Sequence, residues 1–255
     1  MTARWPWPKV RGWLVHGYTA TGAVLALLIV LAAVEGDIAR ALWLGLAALV
    51  IDGTDGMLAR RFDVKGRLPE FDGALLDNIV DYLTYVFAPV VLLLQTGHLP
   101  QGAAGTLVAA VPLLASSYQF CRVDAKTDDH FFLGFPSYWN VVAFYAIALD
   151  LSPGATSGLI VVCALLVLVP VGYLYPSRMT VLRLPTLVLT AAWLVLYAVV
   201  VAQLPAPHPA VLAASLAYVA YYGGLSLYLE RRRRVDRRVS PAAPGRFRGR
   251  TRSRT

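Results

Sequence analysis

Long apolar stretches alternate with short polar connections along almost the whole chain. Each stretch has roughly the 20 residues that a helix needs to cross the hydrocarbon core of a bilayer. Eight such spans can be drawn, over residues 13–34, 38–60, 73–95, 104–122, 134–150, 155–175, 183–203 and 209–229. The pattern therefore predicts an all-α fold, a polytopic membrane helical bundle of about eight transmembrane helices.

The connections between these spans differ in charge. Those at residues 35–37, 96–103, 151–154 and 204–208 contain no Lys or Arg. The other connections carry Arg60, Arg61, Lys65, Arg67, Arg122, Lys126, Arg178 and Arg183. With eight spans, these basic connections and both termini fall on one side of the membrane, which the positive-inside rule identifies as cytoplasmic. We therefore expect a multi-pass protein of the cytoplasmic (inner) membrane with both termini in the cytoplasm.

Composition supports a membrane protein and distinguishes the two ends from the body of the chain. Of the 255 residues, 58% are hydrophobic and only 15% are charged, whereas soluble domains contain about 25% charged residues. The net charge of +8 comes from residues 231–255, whose eleven Arg and one Asp outweigh a body of net charge −2. We expect an interfacial N-terminal segment (residues 1–12), a transmembrane domain (residues 13–230) and a disordered Arg-rich cytoplasmic tail (residues 231–255).

The Arg-rich tail shows no apolar periodicity. Next to a membrane, such a segment binds anionic lipid headgroups electrostatically. RNA is an alternative partner for a basic segment, but the tail has no RNA-binding motif and no set of aromatic residues that would stack on bases. We therefore expect membrane lipids, and no nucleic acid, as its partner.

Four aspartates interrupt the apolar pattern at the ends of the second and third spans. Asp52 and Asp55 are three residues apart, and Asp77 and Asp81 are four apart, so each pair lies on one face of a helix. A short basic connection joins the two spans, which predicts that they are antiparallel neighbours with their carboxylates close together. Each acid costs about 2.5–3.5 kcal/mol at the centre of a membrane helix, and divalent cations with oxygen ligands offset this cost. We expect a site for two ions, Mn²⁺ or Mg²⁺.

The order of these residues resembles the signature of a known family. The pattern D-x-x-D-G-x-x-A-R at residues 52–60, followed by G-x-x-x-D-x-x-x-D at residues 73–81, resembles the motif of CDP-alcohol phosphotransferases. In most of that family the Arg and the second Gly are closer together, and the twelve residues 61–72 between them resemble the branch formed by bacterial phosphatidylcholine synthases. The similarity extends through VHGYTATG, LLDNIVDYLTYV and KTDDHFFLGFPSYWN, and it covers most of the chain up to about residue 230.

The resemblance implies a reaction and a set of site residues. The reaction would transfer the phosphatidyl group of CDP-diacylglycerol to choline and release CMP. By resemblance, Asp52, Asp55, Asp77 and Asp81 are metal ligands, and Asp81 is also the base. By resemblance, Gly56, Ala59 and Gly73 are positions that let the cytidine pack close, and Arg60 stabilises phosphate or holds the loop. The family also implies a homodimer.

Two further polar residues are candidates for the nucleotide or phosphate site. His16 lies inside the first span and Asn78 follows Asp77. Polar groups at such depth face the bundle interior and mark functional positions. A hydrogen-bonded packing role is an equally good explanation for each.

Choline sets a separate requirement, because a quaternary ammonium has no N–H donor and is held by aromatic faces with a nearby negative charge. Residues 126–140 supply aromatic and acidic side chains just before the fifth span, and a tyrosine follows the second aspartate pair. The candidate choline contacts are Tyr82, Asp128, Asp129, Phe131, Phe135, Tyr138 and Trp139. An interfacial aromatic belt is the alternative explanation for these rings.

Three other functions fit part of the pattern. Another CDP-alcohol phosphotransferase, making phosphatidylserine, phosphatidylglycerol phosphate or phosphatidylinositol phosphate, would share the acidic motif, but a phosphorylated acceptor requires cationic residues beside the metals. A hydrolase would give the lipid phosphate to water. A cation transporter would place its acids near the middle of the bilayer, in broken or repeated helices.

Overall fold

A computed structural model gives the structure of the protein. It describes residues 7–125, 127, 131–175, 179 and 181–239, with the side chains of residues 236–239 left out of the description. The described elements follow one another in this order: α1 (Trp7–Val34), α2 (Ile38–Arg61), α3 (Val64–Arg67), α4 (Gly73–Asp81), a π-helical segment (Tyr82–Phe87), α5 (Ala88–Gln95), α6 (Gly102–Cys121), β1 (Phe131–Leu133), α7 (Trp139–Ala148), α8 (Pro153–Leu168), β2 (Gly172–Leu174), α9 (Arg183–Ala202) and α10 (Pro209–Val239).

Six helices of the described chain are long and apolar enough to cross a membrane. They are Trp7–Val34, Ile38–Arg61, Gly73–Gln95, Gly102–Cys121, Arg183–Ala202 and Pro209–Val235. The predicted helical, polytopic membrane fold is therefore confirmed. The predicted fifth and sixth spans correspond to α7 and α8, which have 10 and 16 residues, fewer than the roughly 20 that a perpendicular crossing needs. The count of eight spans stays a prediction.

Helix α1 packs against both of the helices that carry the aspartate pairs. A tight turn at Gly36, which has a φ of +75°, joins α1 to α2, and Asp37 caps α2 by accepting a hydrogen bond of 3.0 Å from the backbone N–H of Arg40. Small buried residues on α1 let α2 come close; they are Ala26, Ala32 and Ala33. Membrane helices associate through such small side chains because van der Waals contact, rather than water exclusion, drives their packing.

Two glycines, one on each helix, let α1 and α4 come into close contact. A Cβ added to Gly22 would lie 2.5 Å from Cγ1 of Val80, and one added to Gly73 would lie 2.6 Å from Cε1 of His16. Neither position has space for a side chain unless a neighbour moves. The backbone of one helix therefore contacts a side chain of the other at two places, one before Asp77 and one after it along α4.

A short β-ribbon, which the apolar pattern does not predict, joins two connections of the bundle. β1 and β2 pair antiparallel, with Phe131 opposite Leu174 and Leu133 opposite Gly172. Helix α10 fastens the ribbon, because the hydroxyl of Tyr222 donates to the carbonyl of Leu174 at 2.8 Å. β2 lies within residues 155–175, which were predicted to be the sixth span, so the helical prediction for the end of that span is wrong.

Helix α10 continues into the segment that was expected to be a disordered tail. It runs to Val239, so residues 231–239 are helical, and residues 240–255 lie outside the described residues. Buried Glu230 accounts for part of this extension, since it accepts hydrogen bonds from Arg233 at 3.0 Å and Arg234 at 2.7 Å. Ion pairs at these i,i+3 and i,i+4 spacings stabilise a helix.

Gly22 gives a test of the α1–α4 contact. We expect Gly22→Ala to lower the free energy of unfolding in detergent by about 1–3 kcal/mol, the usual cost of overpacking, because the χ1 angle of Val80 is stiff in a helix. Thermal unfolding measures the change. Gly17→Ala is the matched control, because nothing lies within 4 Å of a Cβ at Gly17. Equal effects of the two substitutions would contradict the contact, and Val80→Ala should restore part of the loss in Gly22→Ala.

Candidate functional site

Three carboxylates meet between α2 and α4. One carboxylate oxygen from each of Asp52, Asp55 and Asp77 lies within 4.8 Å of the other two. Asp55 is only 6% exposed, and the other two are half-buried. A set of oxygen ligands alone is typical of sites for Mg²⁺ and Mn²⁺, so this group, here called the acidic cluster, can hold a metal ion.

Asp81 does not belong to the acidic cluster, although it was predicted to converge with the other three. It is the last residue of α4, about 6 Å further along the helix axis than Asp77, at 1.5 Å per residue. Its half-buried side chain is on the same face of α4 as Asp77. The structure thus brings three of the four acids together and leaves the fourth one helical turn away.

Two hydroxyl groups from other elements hold the acids of α2. Thr19 of α1 donates a hydrogen bond of 2.8 Å to Oδ2 of Asp55, and Tyr85 of the π-helical segment donates one of 2.5 Å to Oδ2 of Asp52. Neither hydroxyl was predicted from the sequence to be a partner of the acids. A signal was present for Tyr85, which is four residues after Asp81 and therefore on the face of the acids.

His16 and Gly73 form a contact next to the acidic cluster. Gly73 is one helical turn before Asp77, and its missing side chain leaves the space that the imidazole of His16 occupies. The ring of Phe71 packs against His16 with 4.4 Å between the centroids. The Nε2 atom of His16 is buried and has no hydrogen-bond partner. This atom can bond a polar group of a ligand, which favours a ligand role over the alternative of a hydrogen-bonded packing residue.

The other candidates for the nucleotide site have different surroundings. Gly56 follows Asp55, and a Cβ there would lie 3.3 Å from a guanidinium nitrogen of Arg60, so this exposed Arg folds back toward the cluster. Ala59 packs on a small apolar group that includes Val15 and Leu68. Asn78 is half-buried beside Asp77.

Tyr138 lies at the centre of an aromatic group that reaches the acidic cluster. Its ring centroid is 6.0 Å from that of Tyr85, whose hydroxyl bonds to Asp52, and 6.1 Å from that of Tyr222. The ring centroid of Phe135 is 6.4 Å from that of Tyr138. The structure therefore places two of the predicted choline contacts, Tyr138 and Phe135, in a group of rings next to a carboxylate.

The remaining predicted choline contacts lie elsewhere. Tyr82 donates to the carbonyl of Leu113 on α6. The ring of Phe131 is beneath the guanidinium of Arg233 at 5.0 Å. Trp139 is 1% exposed, and its indole N–H donates to Ser116 at 2.7 Å, so it fills the core behind Phe135. The predicted residues Asp128 and Asp129 lie outside the described residues.

Comparison with known proteins gives relatives over most of the chain, although no protein-family model matches it. A protein of Pseudomonas aeruginosa named phosphatidylcholine synthase is 41% identical over 224 residues, which are 88% of this chain and 93% of the relative. A protein of the same name from Legionella pneumophila is 40% identical, over 85% of this chain and 87% of its own length. The one from Agrobacterium fabrum is 37% identical, over 87% and 93%.

The acidic cluster predicts a stability effect of metal that does not require any substrate. We expect Mn²⁺ to raise the melting temperature of the purified protein, because a ligand at 100 times its dissociation constant stabilises by about 2.7 kcal/mol. In Asp77→Asn this rise should largely disappear. In EDTA the variant should be at least as stable as the unsubstituted protein, because one of three repelling charges is gone.

Asp150→Asn is the control for this experiment. Asp150 is fully exposed and has a φ of +48°, a conformation that Asn tolerates equally well. Its Mn²⁺-dependent rise should equal that of the unsubstituted protein. If Asp77→Asn keeps the full rise, the cluster does not bind the ion.

Proposed function

This chain belongs to the phosphatidylcholine synthase family, and we propose that it transfers the phosphatidyl group of CDP-diacylglycerol to choline with release of CMP. Three relatives of that name, each 37% or more identical over 85% or more of this chain, carry the proposal. The acidic cluster supports it, because a reaction at a pyrophosphate requires a site that neutralises phosphate oxygens. The resemblance of residues 52–81 to the CDP-alcohol phosphotransferase signature supports the same donor.

The cluster suits a divalent cation. Its donors are carboxylate oxygens on two rigid helices, and hydroxyl groups of Thr19 and Tyr85 orient two of them. We propose Mn²⁺ or Mg²⁺ as the cation, and Asp52, Asp55, Asp77 and Asp81 would hold two such ions. Bound divalent cations neutralise phosphate oxygens and stabilise the departing CMP.

The chain's own groups have distinct parts in the transfer. His16 contacts the nucleotide or its phosphates through Nε2, which has no hydrogen-bond partner. Arg60, whose guanidinium lies beside Gly56, contacts the same ligand from α2. The choline oxygen bonds to the phosphorus that carries the diacylglycerol, and the bond from that phosphorus to the CMP oxygen breaks. Asp81, one turn beyond Asp77, takes the hydroxyl proton as the alcohol attacks.

The aromatic group around Tyr138 supports choline as the acceptor. A trimethylammonium group is attracted to the faces of aromatic rings by about 2 kcal/mol where water is excluded. The ring centroid of Tyr138 is less than 6.5 Å from that of Phe135 and from that of Tyr222. It is also near the ring of Tyr85, whose hydroxyl bonds to the carboxylate of Asp52. This group therefore offers a positively charged acceptor both aromatic faces and a nearby carboxylate.

The setting of the enzyme follows from the same features. We propose the inner (cytoplasmic) membrane as its location and the cytoplasm as the side of the site, because the acidic residues adjoin the basic connection at residues 60–67. Membrane lipids surround the helices. A homodimer is expected from the family resemblance, and light scattering in detergent measures it.

The central test is a transfer assay with purified protein, CDP-diacylglycerol, labelled choline and Mn²⁺. We expect labelled phosphatidylcholine from the unsubstituted protein and a loss of at least about 100-fold in kcat for Asp81→Asn, since a positioned base contributes about 10²–10⁴-fold. Asp63→Asn is the control, because this exposed carboxylate follows α2 without joining the cluster.

The other functions give other outcomes in that assay. Product with serine, glycerol 3-phosphate or inositol phosphate, and none with choline, would identify a different phosphotransferase. Release of CMP without any alcohol would indicate a hydrolase. Full activity of Asp81→Asn would remove this residue as the base.

Tyr138 tests the acceptor site. We expect Tyr138→Leu to raise the KM for choline about 10-fold, because loss of a desolvated cation–π contact costs about 1–2 kcal/mol, and Tyr138→Phe to change it little. Tyr228→Leu, which removes an exposed ring, is the control. An unchanged KM in Tyr138→Leu would show that choline binds elsewhere.

A further inference from the structure

We propose that Tyr85 is a positioning residue, which fixes the carboxylate of Asp52 in the orientation that cation binding requires. The inference rests on the proposed metal site, and it does not depend on which alcohol accepts the phosphatidyl group. Tyr85 lies outside the aspartate and glycine motif, so the resemblance of residues 52–81 does not assign it.

The hydrogen bond itself is of the strong kind. The phenol oxygen of Tyr85 is 2.5 Å from Oδ2 of Asp52, a length at the short limit for a hydroxyl that donates to an ionised carboxylate. A carboxylate offers about four lone-pair positions. The hydroxyl occupies one of them on Oδ2.

The backbone around Tyr85 departs from a regular α-helix and buries its side chain. Residues Tyr82–Phe87 form a π-helical segment, in which the N–H of Ala88 bonds to the carbonyl of Leu83, five residues earlier. The widened turn buries three successive side chains, Thr84, Tyr85 and Val86, where a regular helix facing a partner on one side would expose at least one. Single π-turns in helices occur frequently at functional sites.

Packing locks the ring as well as the backbone. Tyr85 is 8% exposed and belongs to a buried group with Val86, Val90 and Trp139. A side chain held in one rotamer presents its donor without the entropy cost of finding it, and such outer partners orient metal ligands.

Two half-buried tyrosines in the described chain donate to a different kind of acceptor. Tyr82 donates to the carbonyl of Leu113, and Tyr222 donates to the carbonyl of Leu174. Those bonds connect one helix to another element. The acceptor of Tyr85 is a carboxylate within the acidic cluster, so the loss of its hydroxyl should affect what that cluster binds.

Direct Mn²⁺ binding tests the proposal without any substrate. Free Mn²⁺ is measured by electron paramagnetic resonance in a titration of the detergent-purified protein. We expect Tyr85→Phe to weaken Mn²⁺ binding about 10-fold, at the lower end of the 10–100-fold effect of removing a hydrogen bond to a metal ligand. Tyr145→Phe is the matched control, because Tyr145 is also buried and its hydroxyl bonds to Ser215 and Trp193 in another part of the core.

A merely structural tyrosine would give a different result. In that case Tyr85→Phe and Tyr145→Phe would both lower the melting temperature and neither would change Mn²⁺ affinity, which would overturn the proposal. A second comparison covers indirect effects: in an Asp52→Asn background, Tyr85→Phe should weaken residual Mn²⁺ binding less than 2-fold. A further 10-fold loss in that background would also overturn it.

Kinetics give an independent readout. In Tyr85→Phe, the Mn²⁺ concentration for half-maximal activity should rise by the same factor as the dissociation constant, while kcat at saturating Mn²⁺ recovers and the choline KM stays the same because the ring remains. If the unsubstituted protein binds Mn²⁺ but transfers nothing to choline, the proposed acceptor fails and the role of Tyr85 stands. If the unsubstituted protein binds no Mn²⁺, both fail.

Discussion

Repulsion between carboxylates in an apolar bundle is the constraint on which the rest of the structure depends. Asp52, Asp55 and Asp77 bring oxygens within 4.8 Å of one another, and at this distance two unit charges repel by about 3–4 kcal/mol at an effective dielectric constant of 20. A fold tolerates this cost where a cation or a set of hydrogen-bond donors offsets it. The surroundings of the acids provide hydrogen-bond donors, and the three acids together offer oxygen ligands that can hold a cation.

The helices around the acidic cluster serve that arrangement in different ways. α1 lies close to both acidic helices because it meets α4 at glycine contacts and α2 at alanines. From this position its Thr19 bonds Asp55, and its His16 occupies the space in front of Gly73. The π-helical segment directs Tyr85 to Asp52, and the same ring begins the aromatic group that continues through Tyr138 toward α10 and the β-ribbon. The acidic cluster and the aromatic group around Tyr138 are thus parts of one continuous structure.

The sequence predicts those features that depend on local periodicity. The second and third spans, residues 38–60 and 73–95, agree with the helices Ile38–Arg61 and Gly73–Gln95, because each is a long apolar run between polar connections. The spacing of the aspartates likewise predicts their shared faces.

Features that depend on tertiary packing are not predictable in this way. The β-ribbon pairs segments that are some forty residues apart in the sequence. The separation of Asp81 from the acidic cluster, and the hydrogen bond from Tyr85 to Asp52, can be predicted only when the position of α2 relative to α4 is known. The sequence does not distinguish the surroundings of the aromatic residues between positions 131 and 139. In the structure, Tyr138 packs beside Tyr85, whereas Trp139 is buried and bonds to Ser116.

The most direct measurement of the central claim is the position of the metal itself. Crystals grown or soaked in Mn²⁺, measured above the manganese absorption edge, give an anomalous difference map that locates the ion independently of any assay. We expect a strong peak between the carboxylates of Asp52, Asp55 and Asp77. A map in which these three side chains point apart, or in which the protein is ordered and the peak lies elsewhere, would contradict it.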